Sequence, residues 1–115
     1  MSRTWIAAKL HGLRVTAASV RYHGSVTIGD DLLYAANIER YEQVHVVNLS
    51  TGDRWITYAL PGEDGVFSLN GGGARLGVIG DECVVMTFRT GPEYRPATVV
   101  FCDERNGITD VTNYD

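Results

Sequence analysis

Only two cysteines, Cys83 and Cys102, occur in the 115 residues. Each sits inside a strand-like run, so they read as small buried thiols rather than as a disulfide. Basic residues are few, ten Lys and Arg against fourteen Asp and Glu. They form no cluster, and the net charge of −4 argues against a nucleic-acid partner. No apolar run approaches the ~20 residues that span a membrane. The opening Met1-Ser2-Arg3-Thr4-Trp5 lacks a signal-peptide pattern, because Lys9 and Arg14 interrupt any hydrophobic region; a cytoplasmic location is expected. His11, His23 and His45 share no metal-ligand spacing with each other or with the cysteines, so no metal is expected. A G-x-S-x-G elbow is missing. Gly71-Gly72-Gly73 is followed by no Gly-Lys-Ser/Thr, which excludes a P-loop. With no repeat, linker or low-complexity tract, residues 1–115 are expected to form a single domain.

What is present is extended structure. Residues 4–16 alternate apolar positions without a helix cap and read as a strand bent at Gly12, with Lys9 and His11 on one face. Residues 25–28 resume extended structure after a Gly-Ser pair. Asp30 is placed to cap a short helix ending near Asn37. Residues 43–49 alternate, with Val44 and Val46 inward, Val47 a further candidate for the inward face, and His45 on the other face. Residues 50–53 form a turn into a strand at 54–60, which makes a hairpin. A turn at 61–65 leads to a short strand at 66–69 and then to the triple-glycine loop. Residues 82–89 form a nearly continuous apolar run, hence a strand buried on both faces, and residues 97–102 form another. Asn106-Gly107 suits a tight turn before a strand at 108–111, with a mobile tail at 112–115. Six or seven short strands with little helix imply a mainly β fold, a small barrel or sandwich.

The chemistry centres on Tyr22-His23-Gly24-Ser25. A strained Gly-Ser bond lets the Ser hydroxyl attack the preceding carbonyl. The resulting ester can eliminate, and the new terminus can hydrolyse to a pyruvoyl group. Gly-Ser is equally a common turn pair. The other polar candidates are Lys9, His11, Arg54, Thr57, Tyr58 and Asn70. Arg54 and Tyr58 have the same parity on one strand, and Thr57 faces the other way unless a bulge intervenes. Gly71, Gly72 and Gly73 permit close backbone approach to an anion, or simply a flexible turn.

Together these residues resemble the pyruvoyl-dependent aspartate 1-decarboxylases. The likeness runs through Arg3-Thr4 and Lys9-Leu10-His11, Val15-Thr16, Tyr22 and Gly24-Ser25-Val26-Thr27-Ile28. It continues through Asp31-Leu32-Leu33 with Ala35-Ala36, residues 43–48, Gly52-Asp53-Arg54 with Thr57-Tyr58, Asn70-Gly71 with Ala74-Arg75-Leu76, and Arg95-Pro96 with Val99-Val100. The resemblance implies a double-psi β-barrel and a homotetramer with active sites between subunits. It implies self-cleavage between Gly24 and Ser25, giving chains 1–24 and 25–115, the second opening on a pyruvoyl cofactor made from Ser25. That group would form a Schiff base with L-aspartate and release β-alanine, a pantothenate precursor, and CO2.

The same resemblance implies roles. Tyr58 returns a proton to the α-carbon. Thr57 and Asn70 assist processing at Gly24-Ser25, and Thr57 also contacts substrate. Lys9, Arg54 and the N–H groups of Gly71, Gly72 and Gly73 hold carboxylates, and His11 and Tyr22 complete the wall. The chain departs from the family pattern at His23, at Gly72-Gly73, at Gly12 and Ser19, and in shorter segments at 61–65 and 90–96. Two alternatives stay open on sequence: a paralogue acting on another amino acid, and an uncleaved, non-catalytic barrel subunit.

Overall fold

The computed structural model describes residues 1–21 and 24–115. The expectations for Tyr22 and His23 fall outside the described residues.

Nine strands are described, two or three more than the sequence suggests: β1 (Arg3–Arg14), β2 (Ala17–Ser19), β3 (Ser25–Gly29), β4 (Gln43–Asn48), β5 (Arg54–Gly62), β6 (Phe67–Asn70), β7 (Glu82–Gly91), β8 (Ala97–Cys102) and β9 (Ile108–Tyr114). They join in one sheet in the order β2-β6-β3-β5-β4-β7-β1-β8-β9. The pairs β1/β8, β2/β6 and β3/β5 are parallel, and the rest are antiparallel. β2 was not anticipated, because three small residues carry no alternation signal; its backbone pairs with β6. The tail is not loose either. Residues 112–114 pair with 97–99, so β9 runs on to Tyr114, and the Tyr94 hydroxyl donates to the Tyr114 carbonyl at 2.6 Å.

β1 bends where glycine permits it. Gly12 has φ 87°, the register against β7 shifts between His11 and Leu13, and a Cβ at Gly12 would lie 3.0 Å from the Cys102 carbonyl oxygen. A second irregularity falls between Ile6 and Ala8. Along β4 and β5 the alternation is unbroken. Val44 and Val46 are buried, His45 faces outward, and Val47 lies on that outward side as well.

Among the described residues the one α-helix, α1 (Asp30–Ala36), sits with Leu32, Leu33 and Ala36 in the core. Asp30 is its first residue and not its cap. Gly29 occupies the cap position, with no side-chain cap hydrogen bond. Asn37, at φ 56° and ψ 46°, ends the helix in the left-handed conformation typical of helix C-termini. The triple glycine is neither an open loop nor a flexible turn. It begins a 3-10 helix, Gly71–Leu76.

One core unites Leu10, Leu13, Val26, Ile28, Val46, Ala59, Phe67, Leu69 and Val85 with the helix residues. Every strand from β1 to β8 other than β2 gives it an inward face. Cys83 is buried and Cys102 half-buried, and both are free thiols, as expected. Burial pushes the Cys83 thiol up to about 12 and the Cys102 thiol to about 11.

Candidate active site

Ser25 opens β3 and pairs in register with Asn70, the last residue of β6. Their strand neighbours Val26 and Leu69 point into the core, so alternation sends Ser25 and Asn70 to the opposite face. Both are nevertheless enclosed, Ser25 at 2% and Asn70 at 4% exposure. The Asn70 amide Nδ2 donates to Ser25 Oγ at 2.9 Å and to Thr27 Oγ1 at 3.0 Å. Ser68, two residues back on β6, donates from its hydroxyl to Asn70 Oδ1 at 3.0 Å. Four side chains thus form one small polar cluster on two adjacent strands.

β5 lies on the other side of β3, with Val26 paired to Ala59. Because Ala59 is a core residue, alternation sends Tyr58 outward, on the face that carries Ser25. Arg54 and Ile56 share that face, and Ile56 is 59% exposed. No register shift interrupts residues 43–47 against 54–58, so Thr57 faces the core side opposite Val44, as the parity expected. Tyr58 has a ring neighbour that sequence did not signal. The Tyr41 ring centroid lies 6.2 Å away.

Lys9 and His11 also point outward, but three strands from β5. Two lateral rows define their places. Lys9 pairs with Met86, Met86 with His45, and His45 with Ile56; His11 pairs with Val84, Val84 with Val47, and Val47 with Arg54. At ~4.8 Å per strand, three spacings put the backbones of His11 and Arg54 roughly 14 Å apart. The outward side of a sheet wrapped around a core diverges further. Lys9 Nζ instead sits 5.9 Å from the centre of the Tyr114 ring, and His11 packs edge-on to Phe101 at 5.6 Å. Among the described residues His11 Nδ1 is buried with no hydrogen-bond partner.

The model of the aspartate decarboxylase family matches residues 1–109. The chain belongs to the aspartate decarboxylase family. Relatives bear this out along the full length. An aspartate 1-decarboxylase of Trichormus variabilis is 45% identical over 100% of this chain and 95% of its own. One from Campylobacter jejuni is 41% identical, again over 100% and 95%. A third, from Ruminiclostridium cellulolyticum, is 40% identical over 100% and 94%.

In this aspartate decarboxylase family member the 3-10 helix follows directly on Asn70. Gly71 has φ 65° and is buried, and Gly73 packs against Trp55, where a Cβ would lie 2.8 Å from the indole Nε1. Close approach is what these glycines provide. Gly71 and Gly72 are the first two residues of the helix, so their N–H groups have no intrahelical acceptor.

The structure therefore brings Ser25, Thr27, Ser68, Asn70 and the start of the 3-10 helix together, with Tyr58 on the neighbouring strand. It leaves Lys9 and His11 apart from them. Thr27 and Ser68 escaped the sequence reading. Thr27 was within reach of it, since i and i+2 share a strand face, whereas Ser68 is recruited only by the antiparallel register of β6. Among the described residues, four cavities, including one of about 590 Å³ between α1 and Pro61, have linings that hold none of the site candidates.

Proposed function

We propose that this chain decarboxylates L-aspartate to β-alanine and CO2, using a pyruvoyl group that it makes from Ser25. Family membership supports the reaction, and the contact of Asn70 with the Ser25 hydroxyl carries the assignment of the site. A serine at this position could equally have been a turn residue on an exposed bend. Instead it is enclosed and held by an amide.

Processing divides the chain into residues 1–24 and 25–115. Ser25 Oγ attacks the Gly24 carbonyl carbon. The C–O bond forms, the C–N bond breaks, and the hydroxyl proton ends on the freed Ser25 nitrogen. The ester then loses the Ser25 α-proton and the Gly24 carboxylate, and water replaces the nitrogen as ammonia. Asn70 orients the attacking oxygen. Thr57 is suited to assist, because the β3/β5 register, continued back from Val26 and Ala59, would run it alongside Gly24.

The surroundings of Ser25 fit a small ketone amide, with hydroxyl and amide partners on one side and the outward face of β5 on the other. When formed, the pyruvoyl group supplies an electron sink for the pair left behind by CO2. Tyr58 then delivers a proton to the substrate α-carbon, a general-acid role suited to a phenol on the Ser25 face. Arg54 holds a substrate carboxylate with its planar fork. Lys9, with the N–H groups of Gly71, Gly72 and Gly73, holds the other, while His11 and Tyr22 wall the site.

These residues cannot all serve one four-carbon diacid within a single chain, given the three strand spacings between Lys9 and Arg54. A site shared between copies removes the difficulty. A homotetramer with active sites between subunits follows from the family, and the separation on the sheet supports it. The mixed sheet, with its three parallel pairs, is in keeping with a double-psi barrel. Among the described residues no helix is long and apolar enough to cross a membrane. We place the enzyme in the cytoplasm.

Intact-mass spectrometry of the purified protein, with CO2 release from L-aspartate, tests the function. Two fragments split after Gly24, the larger without a free amine, are expected. Ser25→Ala should stay whole and inactive. Tyr58→Phe should still cut, yet lose about a hundredfold or more of its turnover, as removal of a positioned general acid does. A wild-type chain that stays whole and releases no CO2 would sink the proposal.

A further inference from the structure

We propose that Ser68, with Thr27, positions Asn70 for the self-processing step, given that Ser25 is cut as described above. An asparagine amide can sit in either of two orientations related by a half-turn, and the surrounding groups decide between them. With Nδ2 toward Ser25 and Thr27, both amide N–H groups have acceptors and Oδ1 receives the Ser68 hydroxyl proton. With the amide turned over, Oδ1 accepts from Ser25 and Thr27, Nδ2 donates to Ser68, and one N–H is left without an acceptor. At 4% exposure that orphan donor is unfavourable. Ser68 and Thr27 together therefore select the first orientation.

The choice matters for the chemistry. In the selected orientation Ser25 Oγ receives a hydrogen bond, which steadies the alkoxide character it takes on as its proton is removed, and that proton is directed away from Asn70. Turned over, the amide oxygen would draw the Ser25 proton toward itself and hold the lone pairs away from the Gly24 carbonyl. Ser68→Ala removes the donor to Oδ1. The first orientation then has an unsatisfied carbonyl and the second has two N–H groups without acceptors, so neither is fully paired and the amide is no longer anchored from its oxygen side. Thr27 is itself held, since its methyl packs over Gly62, where a Cβ would lie 2.6 Å from Thr27 Cγ2. Ser68 and Thr27 touch no substrate in this scheme and act only through Asn70.

The test is the rate at which full-length chain converts to two fragments at 37 °C, followed by intact mass. It is run for wild type, Ser68→Ala, Ser68→Thr and Thr27→Val, with the melting temperature of each uncut chain measured in a Ser25→Ala background. Loss of one hydrogen bond at the reacting oxygen's partner should slow cutting by about tenfold in Ser68→Ala and in Thr27→Val. Ser68→Thr, which keeps the hydroxyl, should return the rate to within about twofold of wild type. The melting temperatures should not follow the rates. If wild type cuts and Ser68→Ala cuts equally fast, the inference is overturned while the processing scheme stands. Slowing that tracks the melting temperature and is not rescued by Ser68→Thr overturns it too, leaving Ser68 a merely structural residue. A wild-type chain that never cuts overturns both.

Discussion

The Tyr41 ring lies 6.2 Å from the Tyr58 ring, tilted at 46°, on a backbone turned to φ 72°. A bulky aromatic in the left-handed region is uncommon. It is pinned there by the Tyr41 N–H, which donates to the Ala59 carbonyl at 2.8 Å, and by the Ala59 N–H, which donates to Glu42 at 3.0 Å. The Arg40 guanidinium lies 5.1 Å from the Tyr41 ring centre. Tyr41→Gly and Tyr41→Ala lose the same ring contacts, but only glycine adopts this φ without strain. The glycine variant should therefore be more stable than the alanine variant by about 1 kcal/mol in urea unfolding. Equal stabilities would show that the turn is unstrained.

Gly62 offers a second test of packing near the site. Its missing Cβ is the space into which the Thr27 methyl fits. Threonine is stiff at χ1, so the side chain cannot swing aside cheaply. Gly62→Ala should destabilise the chain by about 1–3 kcal/mol, the usual range for overpacking. The displaced Thr27 hydroxyl should also slow cleavage. Normal stability with normal cleavage would show that β5 can shift to make room.

Acid sensitivity should depend on Asp81. Its Oδ2 accepts from Asn48 Nδ2 and from the Val78 N–H, each at 3.0 Å. The Asn48 hydrogen bond is the larger cause, and together they hold the carboxyl below its usual value. A carboxyl lowered by folding favours the folded state above its ordinary pKa. That contribution is lost as the pH falls through the lower, folded value. Asp81→Asn should be less stable than wild type at pH 7, and the gap should close toward pH 3. A gap independent of pH would rule out the carboxylate as its source.

The two thiols should be inert in the native protein. With Cys83 raised to about 12 and Cys102 to about 11 by burial, little thiolate exists at pH 8. Alkylation by iodoacetamide should run about two to three orders of magnitude slower than in urea, where both thiols return to ordinary values. Rapid labelling of Cys102 in the folded chain would mean that its strand opens readily.

Much of the fold was legible in the residues because alternation is a local property. The inward set on β4, the outward place of His45, the parity of Arg54 and Tyr58 against Thr57 and the bend at Gly12 all follow from period-two spacing and from glycine's freedom at positive φ; the continuous apolar run of β7 gave burial on both faces from Cys83 to Val85 but not at Phe88, which is exposed. The elements missed are those whose signal is not local. β2 exists because β6 offers a free edge, and the end of β9 is ordered because β8 does. The three glycines became a 3-10 helix because Trp55 packs against Gly73, a contact that no neighbouring residue announces.

The site divides along the same line. Ser25, Tyr58, Arg54, Lys9 and Asn70 could be singled out from residue types and family likeness, which depend only on order along the chain. Their distribution could not. Register between strands distant in the chain set Asn70 on Ser25, recruited Ser68 and Thr27 to the amide, and placed Lys9 three strands from Arg54. Side-chain identity is written in the sequence. Which side chains meet is decided only when the strands pair, because each pairing is chosen by the burial of the whole core.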